Sequence, residues 1–522
     1  TRMFREGTRV EPNRPPGQRM ENYTLFLIPY IVVLIACAIY GAHRYILLAI
    51  YYRNKKNAPR LTGRLKNLPV VTVQLPVFNE QYVVERLIDS VCALDYPREK
   101  LEIQVLDDST DETVDIARAR VEHHRTRGVD IHYIHRENRE GFKAGALDNG
   151  LTLARGEFVA IFDADFVVEP DMLLRSIHYF HEPDVGMVQA RWGHINRDYS
   201  LLTRCQAIFL DGHFQIEHAA RNRSGRFMSF NGTAGICRRS AIEEAGGWQH
   251  DTLTEDLDLS YRAQLAGWRF IFLDDLVSPA ELPMDMNGFK SQQHRWTKGA
   301  IQTAKKLLGP ILKSDLPLKV KIEAFFHLTS STVYLYMTLL SLLLFPAIVL
   351  TTPDHYSWWQ SAMRMIWFDL PLFLVATCST SAFYMSSQRE IAPGSWLKNI
   401  RWLPFLMALG IGISLNNALA VIEALIGHKS EFVRTPKHGV QKAGEDWRKK
   451  LYRGTRNVLA YIEIALGLGF AAMLGYTLLR HMWPAAPFVA IFSYGFLYTG
   501  LLSVTQWRPW TAGKKAAAAA PN

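Results

Sequence analysis

Long apolar segments on both sides of a globular middle region constrain this chain more than any other feature. The chain has 522 residues, and residues 53–320 have the mixed composition of a soluble domain. Residues 23–50 form an apolar run long enough to cross a hydrocarbon core of about 30 Å as a helix. Further apolar runs follow the domain at about 326–350, 365–385, 458–480 and 486–506. The sequence therefore predicts a soluble domain inserted between transmembrane α-helices.

The basic residues lie beside these apolar runs. The net charge is +10, and basic clusters stand at Arg53–Lys56 and Arg448–Lys450. Because Lys and Arg mark the cytoplasmic flanks of membrane helices, we expect the domain and the loop 428–456 on the cytosolic side, and no nucleic-acid partner. An even number of crossings must then separate the two. We therefore predict that a fifth apolar segment, 399–426, lies in the interface or re-enters rather than crossing.

Short β-branched runs alternate with helical segments inside the domain. The predicted strands are 69–75, 101–106, 131–134 and 158–162, and the predicted helices are about 81–94, about 112–127 and one that starts near Lys143. Such alternation predicts an α/β, Rossmann-like doubly wound sheet. Ligands bind these sheets beyond the carboxyl ends of the strands. Two acidic clusters, Asp107-Asp108 and Asp163-Ala164-Asp165, follow predicted strands and are expected at that edge.

The acidic clusters have functional and purely structural interpretations. Asp163 and Asp165 could share a hard divalent cation that bridges a diphosphate, although Asp is common at any turn after a strand. Asp108 could accept hydrogen bonds from a base or ribose, or this region could cap the following helix. The glycine-flanked Lys143 could bind a phosphate at a helix start.

Two further clusters complete the candidate site. Thr254-Glu255-Asp256 offers a general base that could take a proton from a sugar hydroxyl, or it could simply supply a helix cap with acidic residues in the first turn. Gln292 and Arg295 share one face of a predicted helix. Arg295 could stabilise a departing diphosphate, and Trp296 could stack on a sugar ring. An interfacial Trp/Arg belt is the alternative.

These motifs carry a resemblance to a known family. Asp108, Asp163-x-Asp165, Thr254-Glu255-Asp256 and Gln292-x-x-Arg295-Trp296, in this order, resemble the processive family 2 glycosyltransferases, the cellulose, chitin and hyaluronan synthases. The stretch Phe230-Asn231-Gly232-Thr233-Ala234-Gly235 with Gly246-Gly247-Trp248 is most similar to the cellulose-synthase-like branch, which includes β-mannan and β-glucan synthases. Phe432-Val433-Arg434-Thr435-Pro436-Lys437 resembles the gating loop of cellulose synthase, with Arg434 in place of a Val.

The resemblance implies a GT-A-type fold and a role for each matching residue. The catalytic residues would be Asp256, Glu255 and Arg295, with Asp256 as the base. The nucleotide-sugar would contact Asp108, Glu80, Lys143, Asp163, Gln292 and Arg295. The acceptor would contact Trp296, Phe230, Asn231 and Gly232. The gating loop would act through Phe432, Thr435 and Lys437, and Mg²⁺ or Mn²⁺ would bind Asp165 and Asp163.

The hypothesis is an inverting, processive hexosyltransferase that extends the non-reducing end of a β-linked polysaccharide and translocates it across the membrane. The donor would be UDP-glucose or GDP-mannose. The other partners would be the growing glycan and membrane lipids. The protein would be located in a bacterial inner membrane or a plasma membrane. One alternative is a non-processive, ceramide-type glycolipid β-glucosyltransferase. Another alternative is a transporter or channel with an inactive sugar-binding domain. The presence of Asp165, Asp256 and Arg295 argues against this alternative. Protein partners stay open.

The predicted organisation has eight parts in chain order. They are a basic segment 1–21, a transmembrane helix 22–52, the cytosolic glycosyltransferase domain 53–300, an amphipathic interface helix 301–324, transmembrane and interfacial helices 325–427, a cytosolic gating-like loop 428–456, two transmembrane helices 457–507 and a tail 508–522.

Overall fold

The computed structural model describes residues 16–350, 372, 374–430, 433–440, 450, 458–483 and 485–506. The predicted gating residue Phe432, the tail 508–522 and residues 365–371 and 373 of the apolar run 365–385 lie outside these described residues.

Among the described residues, seven strands form one sheet in the order β3-β2-β1-β4-β6-β5-β7. The strands are β1 Val71–Val77, β2 Leu101–Asp107, β3 Ile131–His135, β4 Phe158–Ile161, β5 Val185–His194, β6 Gly235–Arg238 and β7 Arg269–Ala280. Pairing is parallel from β3 through β4 and again between β5 and β7, with Val71 opposite Leu101 and Phe158.

Helices surround the sheet and continue beyond it. Those of the domain are α2 Val84–Cys92, α3 Thr113–Arg125, α4 Phe142–Leu153, α5 Met172–Ile177, α6 Leu201–Gly212, α7 Ala219–Arg223, α8 Arg239–Glu244 and α9 Glu255–Leu265. Those that flank it are α1 Pro16–Arg53, α10 Met286–Lys313, α11 Leu318–Thr329, α12 Val333–Leu350, α13 Ser379–Ile391, α14 Trp396–Asn399, α15 Leu403–Gly412, α16 Ser414–Ile426, α17 Leu459–Leu479 and α18 Ala486–Thr505. Two π-helical turns, His213–His218 and Leu374–Cys378, lead into α7 and α13.

The four predicted strands are confirmed, but the sheet is not purely doubly wound. β6 runs antiparallel between β4 and β5, with Ile161 opposite Gly235 and Val188 opposite Ile236. The first four strands could be predicted because a strand buried on both faces is a continuous apolar run. The sequence between 185 and 250 lacks a regular strand–helix alternation, so β5 and β6 were not foreseen.

The core lies on both faces of the sheet. One face packs β1 and β2 against α2 and α3, with Val73 and Ile103 fully buried. The other face packs against α4, α6 and the end of α1, where Tyr51 is 1% exposed. One face of the last turns of the first long apolar helix therefore packs into the core of the domain, which ties the domain to this helix.

Four described helical segments are long and apolar enough to cross a membrane. They are Ile28–Arg53, Leu318–Leu344, Leu459–Leu479 and Ala486–Thr505. The pair Trp396–Gly412 and Ser414–Ile426 bends by 42°, the geometry of a broken span or of a re-entrant loop. The expectation that segment 399–426 does not cross the membrane therefore stays a prediction.

The boundary drawn between residues 300 and 301 falls inside one helix. α10 runs without interruption from Met286 to Lys313 and joins the Gln292–Trp296 motif to the amphipathic segment. Asp285 begins the helix by accepting a hydrogen bond from the Gly288 N–H at 2.7 Å. The α/β domain and the predicted interface helix are thus joined by a continuous helix rather than by a linker.

Glycine packing between the bent pair and α18 gives a test of the membrane part. A Cβ at Gly412 would lie 2.4 Å from the Gly495 carbonyl oxygen, whereas a Cβ at Gly410 would meet nothing within 4 Å among the described residues. Small residues allow such close approach of membrane helices. We expect Gly412→Ala to destabilise the purified protein by about 1–3 kcal/mol, seen as a lower melting temperature. Gly410→Ala is the matched control, and equal melting temperatures for both variants would contradict this packing.

Candidate active site

A cleft opens beyond the carboxyl ends of the parallel strands, with an empty volume of about 1210 Å³ that includes its solvent-open mouth. Its walls come from the loops after β1, β2, β4 and β7, the start of α9, the middle of α10 and the segment 433–440. The predicted site residues that line it are Glu80, Asp108, Lys143, Asp163, Asp165, Asn231, Glu255, Asp256, Gln292, Arg295, Trp296, Thr435 and Lys437. The cleft is therefore where the sequence motifs converge.

Lys143 joins two parts of the cleft. Its Nζ donates to Asp163 Oδ1 at 2.5 Å and to the Gly232 carbonyl at 2.9 Å. Burial alone would lower the pKa of Lys143, but the charges of Asp163 and Glu255 raise it above its ordinary value. The ammonium group is therefore positively charged at the edge where a phosphate could bind.

The segment 433–440 covers the other side of the cleft. Lys437 Nζ donates to Asp165 Oδ2 at 2.6 Å, and the His438 N–H donates to Glu281 Oε1 at 2.8 Å. The guanidinium of Arg434 lies 3.7 Å from Glu80 Oε1. Sequence reasoning did not single out Glu281, which lines the cleft directly after β7.

Asp256 lies in the first turn of α9, beside Glu255. Burial and the neighbouring charge of Glu255 raise the pKa of Asp256 to about 7. Thr254 does not cap α9 through its side chain. It packs against α10 instead, where a Cβ at Gly299 would lie 2.6 Å from Thr254 Oγ1. The arrangement gives a carboxylate near its protonation midpoint at neutral pH, which suits a general base.

α10 presents Gln292, Arg295 and Trp296 to the same cleft. Burial lowers the pKa of Arg295, but the carboxylates of Glu255 and Asp163 act in the opposite direction. Arginine stays protonated in proteins. The helix therefore contributes a cation and an aromatic face opposite the acidic strand ends.

Asp108 already has a strong partner. Arg136 donates to both of its carboxylate oxygens, at 2.8 Å and 2.6 Å. Nearby, the guanidinium carbon of Arg139 lies 3.4 Å from the centre of the Phe78 ring. Both Phe78 and Arg139 line the cleft. Sequence reasoning missed this pair, because nothing in the local pattern distinguishes Arg139 from other surface arginines.

Phe230 does not reach the cleft, contrary to its predicted acceptor role. Its side chain is 2% exposed and belongs to the core. Gly235 leaves room for the ring, since a Cβ there would lie 2.8 Å from Phe230 Cε2. Gly232 contributes backbone only. Its φ of +75° favours glycine, and a Cβ would lie 2.8 Å from Asp256 Oδ2.

The donor set of the cleft fits a hard divalent cation. Asp163 and Asp165 supply carboxylate oxygens, the ligands that such cations prefer. Glu281 Oε2 is buried without a hydrogen-bond partner among the described residues. Burial, together with the charge of Asp165, raises the pKa of Glu80 to about 7, although the charge of Arg434 opposes the shift. No described cluster of three or more His, Cys, Asp or Glu side chains could hold an ion by itself.

Comparison with known sequences identifies the domain. Residues 69–299 match the model of the glycosyltransferase-like family 2. The chain is 47% identical over 253 residues to glucomannan 4-β-mannosyltransferase 2 of Arabidopsis thaliana, covering 48% of this chain and 47% of that protein. It is 34% identical over 403 residues to glucomannan 4-β-mannosyltransferase 7 of the same plant, covering 75% of this chain and 68% of that protein. The matched region thus spans about half the length of the former relative.

A solved structure supports the fold. The mannosyltransferase of Pyrobaculum calidifontis, solved in complex with GDP-Man and Mn²⁺, matches with a TM-score of 0.51 and 23% identity, over 70% of this chain and 99% of that protein. At this identity the likeness concerns the fold alone. The expected GT-A-type fold, flanked by apolar helices, is confirmed.

The carboxylates at the end of β4 give a testable cation site. We expect Asp165→Asn to weaken Mn²⁺ binding in the presence of a nucleoside diphosphate by about ten-fold or more, because one hard oxygen ligand loses its charge. Free Mn²⁺ can be measured by electron paramagnetic resonance. Asp171→Asn, which changes an exposed carboxylate on the same loop, is the control. Equal affinities for the two variants would place the cation elsewhere.

Proposed function

The chain belongs to the family 2 glycosyltransferases, in the cellulose-synthase-like branch that includes the β-mannan synthases, and from this we propose that it transfers mannose from GDP-mannose to the non-reducing end of a β-1,4-linked mannan or glucomannan. The observation that carries the proposal is the single cleft in which Asp163, Asp165, Asp256, Arg295 and Trp296 meet.

The names of the relatives support the choice of donor. Both Arabidopsis proteins are glucomannan 4-β-mannosyltransferases. These names do not support UDP-glucose, which the sequence had left open as a donor. Both relatives are plant proteins, so they do not support the expected location in a bacterial inner membrane either. A multi-pass membrane protein agrees with the four long apolar helical segments.

The proposed reaction is a single displacement with inversion. Asp256 takes the proton from the attacking acceptor hydroxyl, and burial, together with the charge of Glu255 beside it, keeps the pKa of Asp256 high enough for that role. Arg295, Gln292 and Lys143 hold the diphosphate of the donor and stabilise the negative charge that develops as it leaves.

Asp165 and Asp163 would hold Mg²⁺ or Mn²⁺, which when bound neutralises part of the diphosphate charge. In the structure described here Lys437 and Lys143 contact these two carboxylates. Lys437 would exchange Asp165 for a phosphate oxygen when donor binds, and Thr435 and Arg434 would close over the nucleotide with it.

We further propose that the protein extends the glycan processively and exports it across the membrane. α10 carries Arg295 and Trp296 and also contacts the membrane helices, since Asn287 Nδ2 donates to the Ser503 carbonyl at 2.9 Å. A glycan whose end rests on Trp296 would therefore be held by the same helix that contacts α18. This connection favours translocation of a polymer over release of a single-sugar glycolipid.

A donor assay tests the proposal. Purified protein in nanodiscs, supplied with Mn²⁺, GDP-mannose and a manno-oligosaccharide, should form longer chains that an endo-β-1,4-mannanase degrades. UDP-glucose in place of GDP-mannose should give little product. Transfer confined to a lipid acceptor, with one sugar added, would contradict the polymer synthase, and no transfer from GDP-mannose would contradict the donor.

The raised pKa of Asp256 predicts the pH dependence of transfer. A carboxylate with a pKa of about 7 is protonated, and useless as a base, below that pH. We therefore expect kcat/KM to fall as the pH drops below about 7 and to level off above it. Asp256→Asn should lower turnover on the order of 100-fold or more while leaving GDP affinity nearly unchanged.

Glu80 provides the control for this assignment. Its pKa is also raised to about 7, so its titration could give a similar step in the pH profile. Glu80→Gln should keep the step in the pH profile, whatever it does to the rate itself. A profile without that step in Glu80→Gln, or a loss of GDP affinity in Asp256→Asn as large as the loss of turnover, would contradict the assignment.

A further inference from the structure

A π-helical turn next to the cleft brings two histidines together. His213–His218 lies between α6 and α7, inside an otherwise α-helical stretch. In an α-helix, residues five apart point about 140° away from each other. The wider turn instead stacks the rings of His213 and His218 edge to face, with their centres 4.3 Å apart. Such turns occur frequently at functional sites, and none of the motifs above accounts for this one.

Both imidazoles contact the side-chain amide of Asn231. His218 Nε2 lies 2.6 Å from Asn231 Oδ1, and Asn231 Nδ2 lies 3.1 Å from His213 Nε2. Asn231 lines the cleft and directly precedes Gly232, the glycine next to Asp256. The Asn231 N–H donates to Gln189 Oε1 at 3.1 Å, which fixes the backbone as well. The side-chain amide is thus held by two histidines, and the backbone of the same residue by Gln189, beside the proposed base.

The contacts determine the protonation of both rings. His218 Nε2 also lies 3.0 Å from the Ser229 carbonyl oxygen, which can only accept, so this nitrogen carries the proton. Its Nδ1 has no hydrogen-bond partner among the described residues, and burial holds the pKa of His218 well below its ordinary value. His218 is therefore a neutral donor to Asn231 Oδ1.

His213 must then have the opposite tautomer. Its Nδ1 lies 3.1 Å from Glu217 Oε2, a carboxylate that accepts, so Nδ1 carries the proton and Nε2 accepts from the Asn231 amide. Burial alone would raise the pKa of Glu217, but the charge of Arg221 and the hydrogen bond from His213 hold it well below its ordinary value. A permanently charged Glu217 keeps His213 in this tautomer.

The chain of contacts continues to the membrane segment. Arg221, which lies 3.5 Å from Glu217, donates from Nε to Glu323 Oε1 at 2.9 Å. Glu323 Oε2 in turn lies 3.1 Å from His43 Nε2 on α1. The orientation of the Asn231 amide is therefore tied, through buried charged groups, to the two helices that anchor the domain.

We propose that His213 and His218 are positioning residues that fix the Asn231 amide to bind a hydroxyl of the acceptor sugar next to Asp256. The inference rests on the proposed function and deepens it. One amide proton and one oxygen lone pair are used by the two histidines, which leaves one donor and one acceptor on the same group. A sugar hydroxyl needs that combination, because it donates and accepts at once.

The test compares acceptor and donor kinetics. We expect His213→Ala to raise the KM for a manno-oligosaccharide about five- to ten-fold, the effect of one neutral hydrogen bond. The KM for GDP-mannose and the slow hydrolysis of GDP-mannose without acceptor should stay unchanged. His213→Gln, whose amide oxygen can replace Nε2 as an acceptor, should restore part of the loss. His132→Ala, at an exposed imidazole of β3 paired with Asp130, is the control.

A double-mutant cycle decides whether His213 acts through Asn231. In an Asn231→Ala background, His213→Ala should change the acceptor KM no further. Additive effects, or a donor KM that rises with the acceptor KM, would overturn the inference and leave a merely structural role. Wild-type protein that transfers no mannose from GDP-mannose would contradict the proposed function instead, and retained GDP-mannose hydrolysis shows that each variant is folded.

Discussion

The structure of the cleft depends on the compensation of clustered carboxylates by lysine and arginine side chains at one edge of the sheet. Glu80, Asp163, Asp165, Glu255 and Asp256 all line a single cleft, and mutual repulsion would oppose that arrangement if nothing balanced it. Lysines 143 and 437 and arginines 295 and 434 bring the opposite charge from three separate parts of the chain: α4, α10 and the segment 433–440. The site is thus a balance of buried charges, and the donor diphosphate with its cation would rearrange that balance.

Much of this edge could be predicted because it follows from local rules. Strands β1, β2 and β4 are short apolar runs, and Asp108, Asp163 and Asp165 follow their ends directly. Since ligand sites form beyond the carboxyl ends of parallel strands, the sequence alone brings these side chains together. The separate Gln292-x-x-Arg295-Trp296 motif could be assigned to the site only through the family resemblance, because no local pattern predicts where α10 lies relative to the sheet.

Other features depend on tertiary packing that no local pattern encodes. Phe230 is next to a cleft residue in sequence, yet its ring fills the space that Gly235 leaves and never faces the cleft. The contact of Arg139 with Phe78 joins two loops. The π-helical turn lies in a region whose sequence shows no regular pattern, so the meeting of His213 with Asn231 could not be foreseen.

We expect the cleft to bind a cation-bound nucleotide diphosphate between Asp165 and Arg295, with the sugar next to Asp256. This arrangement would be visible in a cryo-electron microscopy structure of the protein with GDP-mannose and Mn²⁺. We expect density for Mn²⁺ at Asp165, the diphosphate against Arg295 and Lys143, and Lys437 moved from Asp165 to a phosphate. Well-resolved donor density at any other place, with the Lys437–Asp165 pair intact, would contradict it.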